Sequence, residues 1–131
     1  MQPCSYVALV TLLSVAVYFW MATQVAGTRK RVGILAPAMT GDPVLERNIR
    51  AHLNTLEWLP IFLPSLWLFA IYWNSTVAAA LGLVWIIGRI VYFVGYVGDA
   101  RRRFPGFFIQ SMAVAVLLIG AAGRIAYLAW F

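Results

Sequence analysis

The sequence predicts an all-α membrane protein, a four-transmembrane-helix antiparallel bundle forming one domain over residues 1–131. Three observations carry this. The chain is 63% hydrophobic and only 11% charged, where a soluble domain carries about a quarter charged residues. Its mean hydropathy is +0.85. Its apolar residues fall into four stretches long enough to span hydrocarbon at about 1.5 Å per residue. The charges between them, a net +6, cluster at Arg29-Lys30-Arg31, Arg47 and Arg50, and Arg101-Arg102-Arg103. A nucleic-acid binder spreads its basic charge over a soluble face, so no nucleic-acid partner is expected. The single cysteine, Cys4, forms no internal disulfide framework. One histidine and no useful cysteine argue against a structural zinc site, and no metal is expected.

The first helix is expected at about 5–27. Residues 6–26 are uncharged, Tyr18, Phe19 and Trp20 lie toward the end, and Arg29-Lys30-Arg31 closes the segment. No positive stretch precedes this run, so a cleaved secretory signal is not expected. Gly33, Pro37, Gly41 and Pro43 punctuate a polar connection. Thr40 or Asp42 is placed to cap the next helix, with Pro43 in its first turn.

The second helix is expected at about 44–73, too long to lie wholly in hydrocarbon, with Arg47 and Arg50 projecting into water. Pro60 and Pro64 are expected to bend it. Asn74-Ser75 is a tight turn, which makes the third helix, about 76–98, the partner arm of a hairpin. The Asn74-Ser75-Thr76 sequon reads as a turn with a helix cap. Asp99 to Pro105 forms a short loop before the fourth helix, about 106–130, with Arg124 near its far end, where it can snorkel to the interface. Both basic loops fall on one side, which the positive-inside rule makes cytoplasmic. Short loops and the lack of a retrieval signal favour a bacterial inner membrane over endoplasmic reticulum.

The candidate site gathers where polar groups share helix faces. Arg50, Asn54 and Glu57 are spaced i, i+4, i+7 on the second helix, and Arg89, Tyr92 and Tyr96 i, i+3, i+7 on the third. A cation, an amide and a carboxylate at the edge of hydrocarbon are costly unless they face a partner. Such a row suits a small zwitterion carrying carboxylates and an amine. His52 lies about 200° around the helix from Arg50 and off this row. No Ser/His/Asp set or phosphate loop can be assembled. An arginine serves no base chemistry at neutral pH, but it holds anions and stabilises thiolates. Moving a thiol from about 8.5 to about 6.5 takes roughly 2.7 kcal/mol. One charge-assisted hydrogen bond contributes about 1.5–3 kcal/mol, so one arginine is enough.

The runs Glu46-Arg47-x-x-Arg50-Ala51-x-x-Asn54-x-x-Glu57 and Arg89-x-x-Tyr92-x-x-Gly95-Tyr96 resemble the MAPEG family, the membrane-associated proteins of eicosanoid and glutathione metabolism. The resemblance covers the whole chain. It implies a homotrimer binding glutathione as co-substrate between neighbouring subunits, with a hydrophobic, lipid-soluble second substrate entering from membrane lipid. Arg50, Asn54 and Glu57 would hold the peptide ends, Glu57 taking the amino group. Tyr92 and Tyr96 would line the cleft with Arg89 beneath, and Arg29 and Lys30 would come from the adjacent subunit. His52 and Trp58 stand where conjugating relatives often have Gln and Tyr, among the glutathione contacts. Arg103 matches the arginine that activates the thiol.

Within the family, Arg101-Arg102-Arg103-Phe104-Pro105-Gly106-Phe107 resembles the microsomal glutathione transferase and leukotriene-forming branch. The prostaglandin-forming branch typically has His at position 92. The stretch Tyr92 to Gly98 also resembles the non-catalytic lipoxygenase-activating member, which lacks an equivalent of Arg103. The resemblance therefore implies a glutathione S-transferase, with peroxidase activity toward lipid hydroperoxides within reach of the same thiolate. The alternative is a fatty-acid-binding scaffold without catalysis. A small four-helix drug exporter would need a carboxylate in its first helix, and residues 6–26 contain none.

Overall fold

Residues 4–131 are described by a computed structural model, and among them the chain is helical with no strand. Four helices account for it: α1 (Ser5–Val32), α2 (Pro43–Tyr72), α3 (Ser75–Gly98) and α4 (Phe104–Trp130), with a 3₁₀ turn at Ala100–Arg103 ahead of α4. All four are long and apolar enough to cross a membrane. The 30-residue α2 measures about 45 Å, well beyond the ~30 Å hydrocarbon thickness. Its arginine-bearing first turns therefore project from the bilayer. Large apolar side chains on the perimeter, such as Leu9 (61% exposed), Phe19 (70%) and Ile119 (69%), are the surface offered to lipid.

Local chemistry sets the helix ends. The Asp42 side chain accepts the Leu45 amide at 3.0 Å, with Pro43 at the first helical position. Asn74 accepts the Val77 amide at 3.0 Å to start α3. Asp99 accepts the Arg101 amide at 2.9 Å and closes the 3₁₀ turn. These satisfy amides that a helix start leaves orphaned.

Two boundaries differ from expectation. α1 continues through Gly27 to Val32, because Gly33 supplies the left-handed C-cap at φ 73° and bonds back to the Arg29 carbonyl. Arg29, Lys30 and Arg31 thus form the last helical turn, where cations oppose the negative end of the helix dipole. At the other boundary, the expected loop 99–105 is largely the 3₁₀ turn, and α4 starts at Phe104 rather than 106. α2 runs through Pro60 and Pro64 without interruption, although each proline removes one ladder hydrogen bond.

α2 and α3 form the inner pair, each packing on all the other helices, while α1 and α4 flank them. Phe62 and Trp85 stack at 3.9 Å between ring centroids in the centre, among Val7, Leu66 and Leu117. Trp85 Nε1 donates to Gln110 Oε1 at 3.1 Å across the α3–α4 seam. That seam is tight because glycines line it. A Cβ at Gly106 would stand 2.1 Å from the Tyr92 amide nitrogen, and one at Gly88 2.7 Å from the Gln110 amide nitrogen. No side chain fits at either position, so the α4 start lies directly against α3 at Tyr92.

Candidate functional site

Beside that contact, at the basic end of the bundle, a cavity of about 360 Å³ opens. α2 contributes Arg50 and Asn54, α3 contributes Tyr92 and Tyr96, and the start of α4 contributes Arg103, Phe104 and Phe107. The two polar rows of the sequence therefore face each other across one space. Arg47 Nε donates to the Val97 carbonyl at 3.1 Å and fastens α2 to the end of α3 alongside it.

Arg50 Nη1 contacts Glu57 Oε1 at 2.7 Å, with the two side chains 52% and 54% exposed. An ion pair this open contributes at most about 1 kcal/mol. Its partners can therefore separate when a ligand offers a carboxylate to Arg50 and an amine to Glu57.

Below the cavity floor lies Arg89, with none of its surface exposed. Its Nη2 donates to Asn54 Oδ1 at 2.9 Å and to Thr55 Oγ1 at 2.8 Å. The Thr55 hydroxyl in turn donates a hydrogen bond to the Ala51 carbonyl at 3.0 Å. The guanidinium carbon sits 4.3 Å from the centre of the Tyr92 ring, a cation–π contact in a dry setting. Among the described residues Arg89 Nε and Nη1 have no hydrogen-bond partner. The bond to Asn54 has a further effect. With the amide oxygen held by Arg89, the amide nitrogen is the end left for the cavity, so Asn54 offers a donor there.

The Tyr92 and Tyr96 rings lie 5.6 Å apart, and the Arg103 guanidinium carbon is 5.7 Å from the Tyr96 ring. Arg103 Nη1 donates to the Ala100 carbonyl at 3.3 Å, and the remaining donors of this exposed side chain are available at the cavity mouth. Two solvent-exposed cations, an amide donor and two phenols thus surround a space whose nearest carboxylate is already paired. The arrangement binds an anion and stabilises a thiolate. It offers no general base, and among the described residues no group of His, Cys, Asp or Glu could hold a metal.

The other predicted residues stand apart from this cavity within one chain. Glu57 reaches it only through Arg50. Trp58 packs edge-on against Phe107, a lining residue, at 5.7 Å. His52 stacks on Tyr18 of α1 at 4.5 Å, on another side of α2, and its Nε2 is buried without a partner. Arg29 donates to the carbonyls of Ile34 (3.4 Å) and Ala38 (2.6 Å), which folds the following connection onto α1. Lys30 is exposed on the same turn. Sequence reasoning missed Phe104, Phe107 and Thr55. The i, i+3 phenylalanines after the arginine run were a readable signal; nothing in the sequence marks Thr55 as a partner of Arg89.

Comparison with known proteins agrees with this architecture. An uncharacterised protein of Synechocystis is 45% identical over 114 residues, covering 87% of this chain and 83% of its own length. Human microsomal glutathione S-transferase 2 is 41% identical over 117 residues, 88% of this chain and 80% of the relative. Bovine leukotriene C4 synthase is 35% identical over 121 residues, 92% and 81% respectively. The profile of the MAPEG family matches residues 7–123. The chain therefore belongs to the MAPEG family, as an integral membrane protein with four spanning helices.

Proposed function

We propose that the chain is a membrane-embedded glutathione S-transferase that works as a homotrimer, with its cavity opening to the cytoplasmic side of a bacterial inner membrane. The observation that carries the reading is the pairing of Arg50 and Arg103 around one aromatic-walled cavity with no free carboxylate. The relatives named as microsomal glutathione S-transferase 2 and leukotriene C4 synthase support it.

In this mechanism, glutathione enters with one carboxylate on Arg50 and the Asn54 amide, while its amine takes Glu57 from Arg50. Arg103 donates to the sulfur and favours the thiolate, whose proton leaves to water. The thiolate then attacks a hydrophobic electrophile concentrated in the bilayer, or the distal oxygen of a lipid hydroperoxide. With an electrophile, sulfur forms one carbon bond, and the leaving group, or the opened oxygen or carbanion, takes the electron pair and then a proton. With a hydroperoxide, the O–O bond breaks and the alkoxide takes a proton from water. A second glutathione then converts the sulfenic acid to the disulfide and water. Tyr92 and Tyr96 shape the cleft around the sulfur. Arg29 and Lys30, at the same end as Arg50, serve the cleft of the neighbouring subunit. His52 and Trp58 complete the glutathione contacts at the seam between subunits.

The test is the ultraviolet difference spectrum of glutathione added to detergent-purified protein at neutral pH. The expected result is a thiolate band in the wild type that disappears in Arg103→Ala. Undiminished thiolate in that variant removes Arg103 from the mechanism. No band in the folded wild type would instead favour the fatty-acid-binding scaffold.

A further inference from the structure

A cluster of one arginine with two aromatic rings, Arg124, Trp73 and Tyr127, lies at the opposite end of the bundle from the cavity. Arg124 follows Phe104 along α4 by about 30 Å at 1.5 Å per residue, one hydrocarbon thickness away. Its guanidinium is therefore level with the far lipid headgroups. The chain has four acidic side chains, and all of them, Asp42, Glu46, Glu57 and Asp99, lie toward the cavity end. Among the described residues Arg124 has no acidic side chain as a counterion.

It is also held in place. Nε donates to the Tyr72 carbonyl at 3.4 Å. The guanidinium carbon sits 5.2 Å from the Trp73 ring and 6.0 Å from the Tyr127 ring. Trp73 is itself locked, its Nε1 donating to the Gly120 carbonyl at 2.7 Å. Among the described residues neither Nη nitrogen has a protein acceptor. Beside them a cavity of about 290 Å³ is lined by Trp73, Gly123, Arg124 and Tyr127.

We propose that this cluster binds the phosphodiester of an anionic glycerophospholipid. A planar guanidinium with both Nη groups free matches a phosphate in two-point fashion, and tryptophan and tyrosine suit the headgroup depth. The lipid carries a net negative charge because, among the described residues, the site supplies one cation and no acidic side chain to receive a choline or an amine. The ring faces turned toward the guanidinium are already occupied by it, so they hold no quaternary ammonium. The site is independent of glutathione chemistry.

The experiment is native mass spectrometry of the detergent-purified protein titrated with phosphatidylglycerol or phosphatidylcholine of equal acyl composition. The basic run at the other face also attracts anionic lipid, so Arg124→Gln is compared with the double variant Arg101→Gln/Arg102→Gln. The wild type should prefer phosphatidylglycerol by about tenfold for its tightest site. Arg124→Gln should lose that preference, the double variant should keep it, and Arg124→Lys should be intermediate. Equal affinity for the two lipids in the wild type overturns the proposal, as does an unchanged preference in Arg124→Gln or Arg124→Lys. Soluble glycerol phosphate should not displace the lipid at equal concentration. If it does, the ligand is a free phosphate and the lipid assignment fails.

Discussion

Gly95 decides where Arg103 stands. A Cβ built at Gly95 would lie 2.5 Å from the Arg102 carbonyl oxygen, 3.2 Å from its carbonyl carbon and 3.3 Å from its Cβ. Two of these atoms are backbone, so no rotamer change relieves the overlap. In Gly95→Ala the 3₁₀ turn must retreat from α3 by roughly 0.8 Å to restore ordinary contact, carrying Arg103 with it. Overpacking of this kind costs about 1–3 kcal/mol, set against a gain of about 0.8–1 kcal/mol from alanine's helix propensity. The net loss of stability is small, about 0–2 kcal/mol. The effect on chemistry is larger, since a displacement near 1 Å can cost a hundredfold in rate. Gly98→Ala is the control: it stands one turn further along α3 and its Cβ meets nothing within 4 Å. The assay pairs the unfolding midpoint in detergent with the glutathione thiolate band. Gly95→Ala should lose most of the band with a modest fall in midpoint, and Gly98→Ala should match wild type. A full thiolate band in Gly95→Ala would refute the idea that this contact aims Arg103.

Two further outcomes are expected from the same geometry. Asn54→Asp keeps an acceptor for Arg89 but turns a carboxylate oxygen toward the cavity in place of the amide donor. Glutathione affinity, read by calorimetry, should fall at least tenfold while the unfolding midpoint holds or rises. Gln110→Leu strips the buried Trp85 indole of its acceptor. It should lower stability by about 1–3 kcal/mol and leave the thiolate band unchanged.

What the sequence made legible was local. The caps were readable, Asn74 directly and Asp42 as one of two candidates with Thr40, because capping is a contact over three residues. The rows Arg50/Asn54/Glu57 and Arg89/Tyr92/Tyr96 were readable because helical spacing alone puts each on one face. The end of α1 was misplaced at Gly27, since an isolated glycine costs a helix only about 1 kcal/mol and the true stop needed the left-handed Gly33. Distances between helices were not legible at all. Gly95 and Gly106 stood within the family-like runs, but nothing local told why glycine is needed there or at Gly88. Only the approach of α4 and its preceding 3₁₀ turn to α3 shows that each is there for lack of space. His52 was correctly read as off the polar row, but that it meets Tyr18 depends on how α1 packs.

Arg89 shows most clearly that the cavity, rather than the bundle, dictated part of this sequence. A fully buried guanidinium among membrane helices is costly, and here no carboxylate contacts it and two of its nitrogens lack partners. Packing alone would be served better by an apolar side chain of similar length at this position. What Arg89 does contribute is directed upward. One nitrogen fixes the Asn54 amide with its donor end toward the cavity, and the charge beneath Tyr92 holds that ring in the wall. Besides Thr55, its neighbours Asn54 and Tyr92 are cavity residues on different helices, so a single buried charge sets their relative positions. The Arg50–Glu57 pair at the rim has the opposite character, exposed and weak, and separates readily. Rigid groups below and exchangeable ones above suit a site that must hold an anion in one orientation yet let it enter and leave from water.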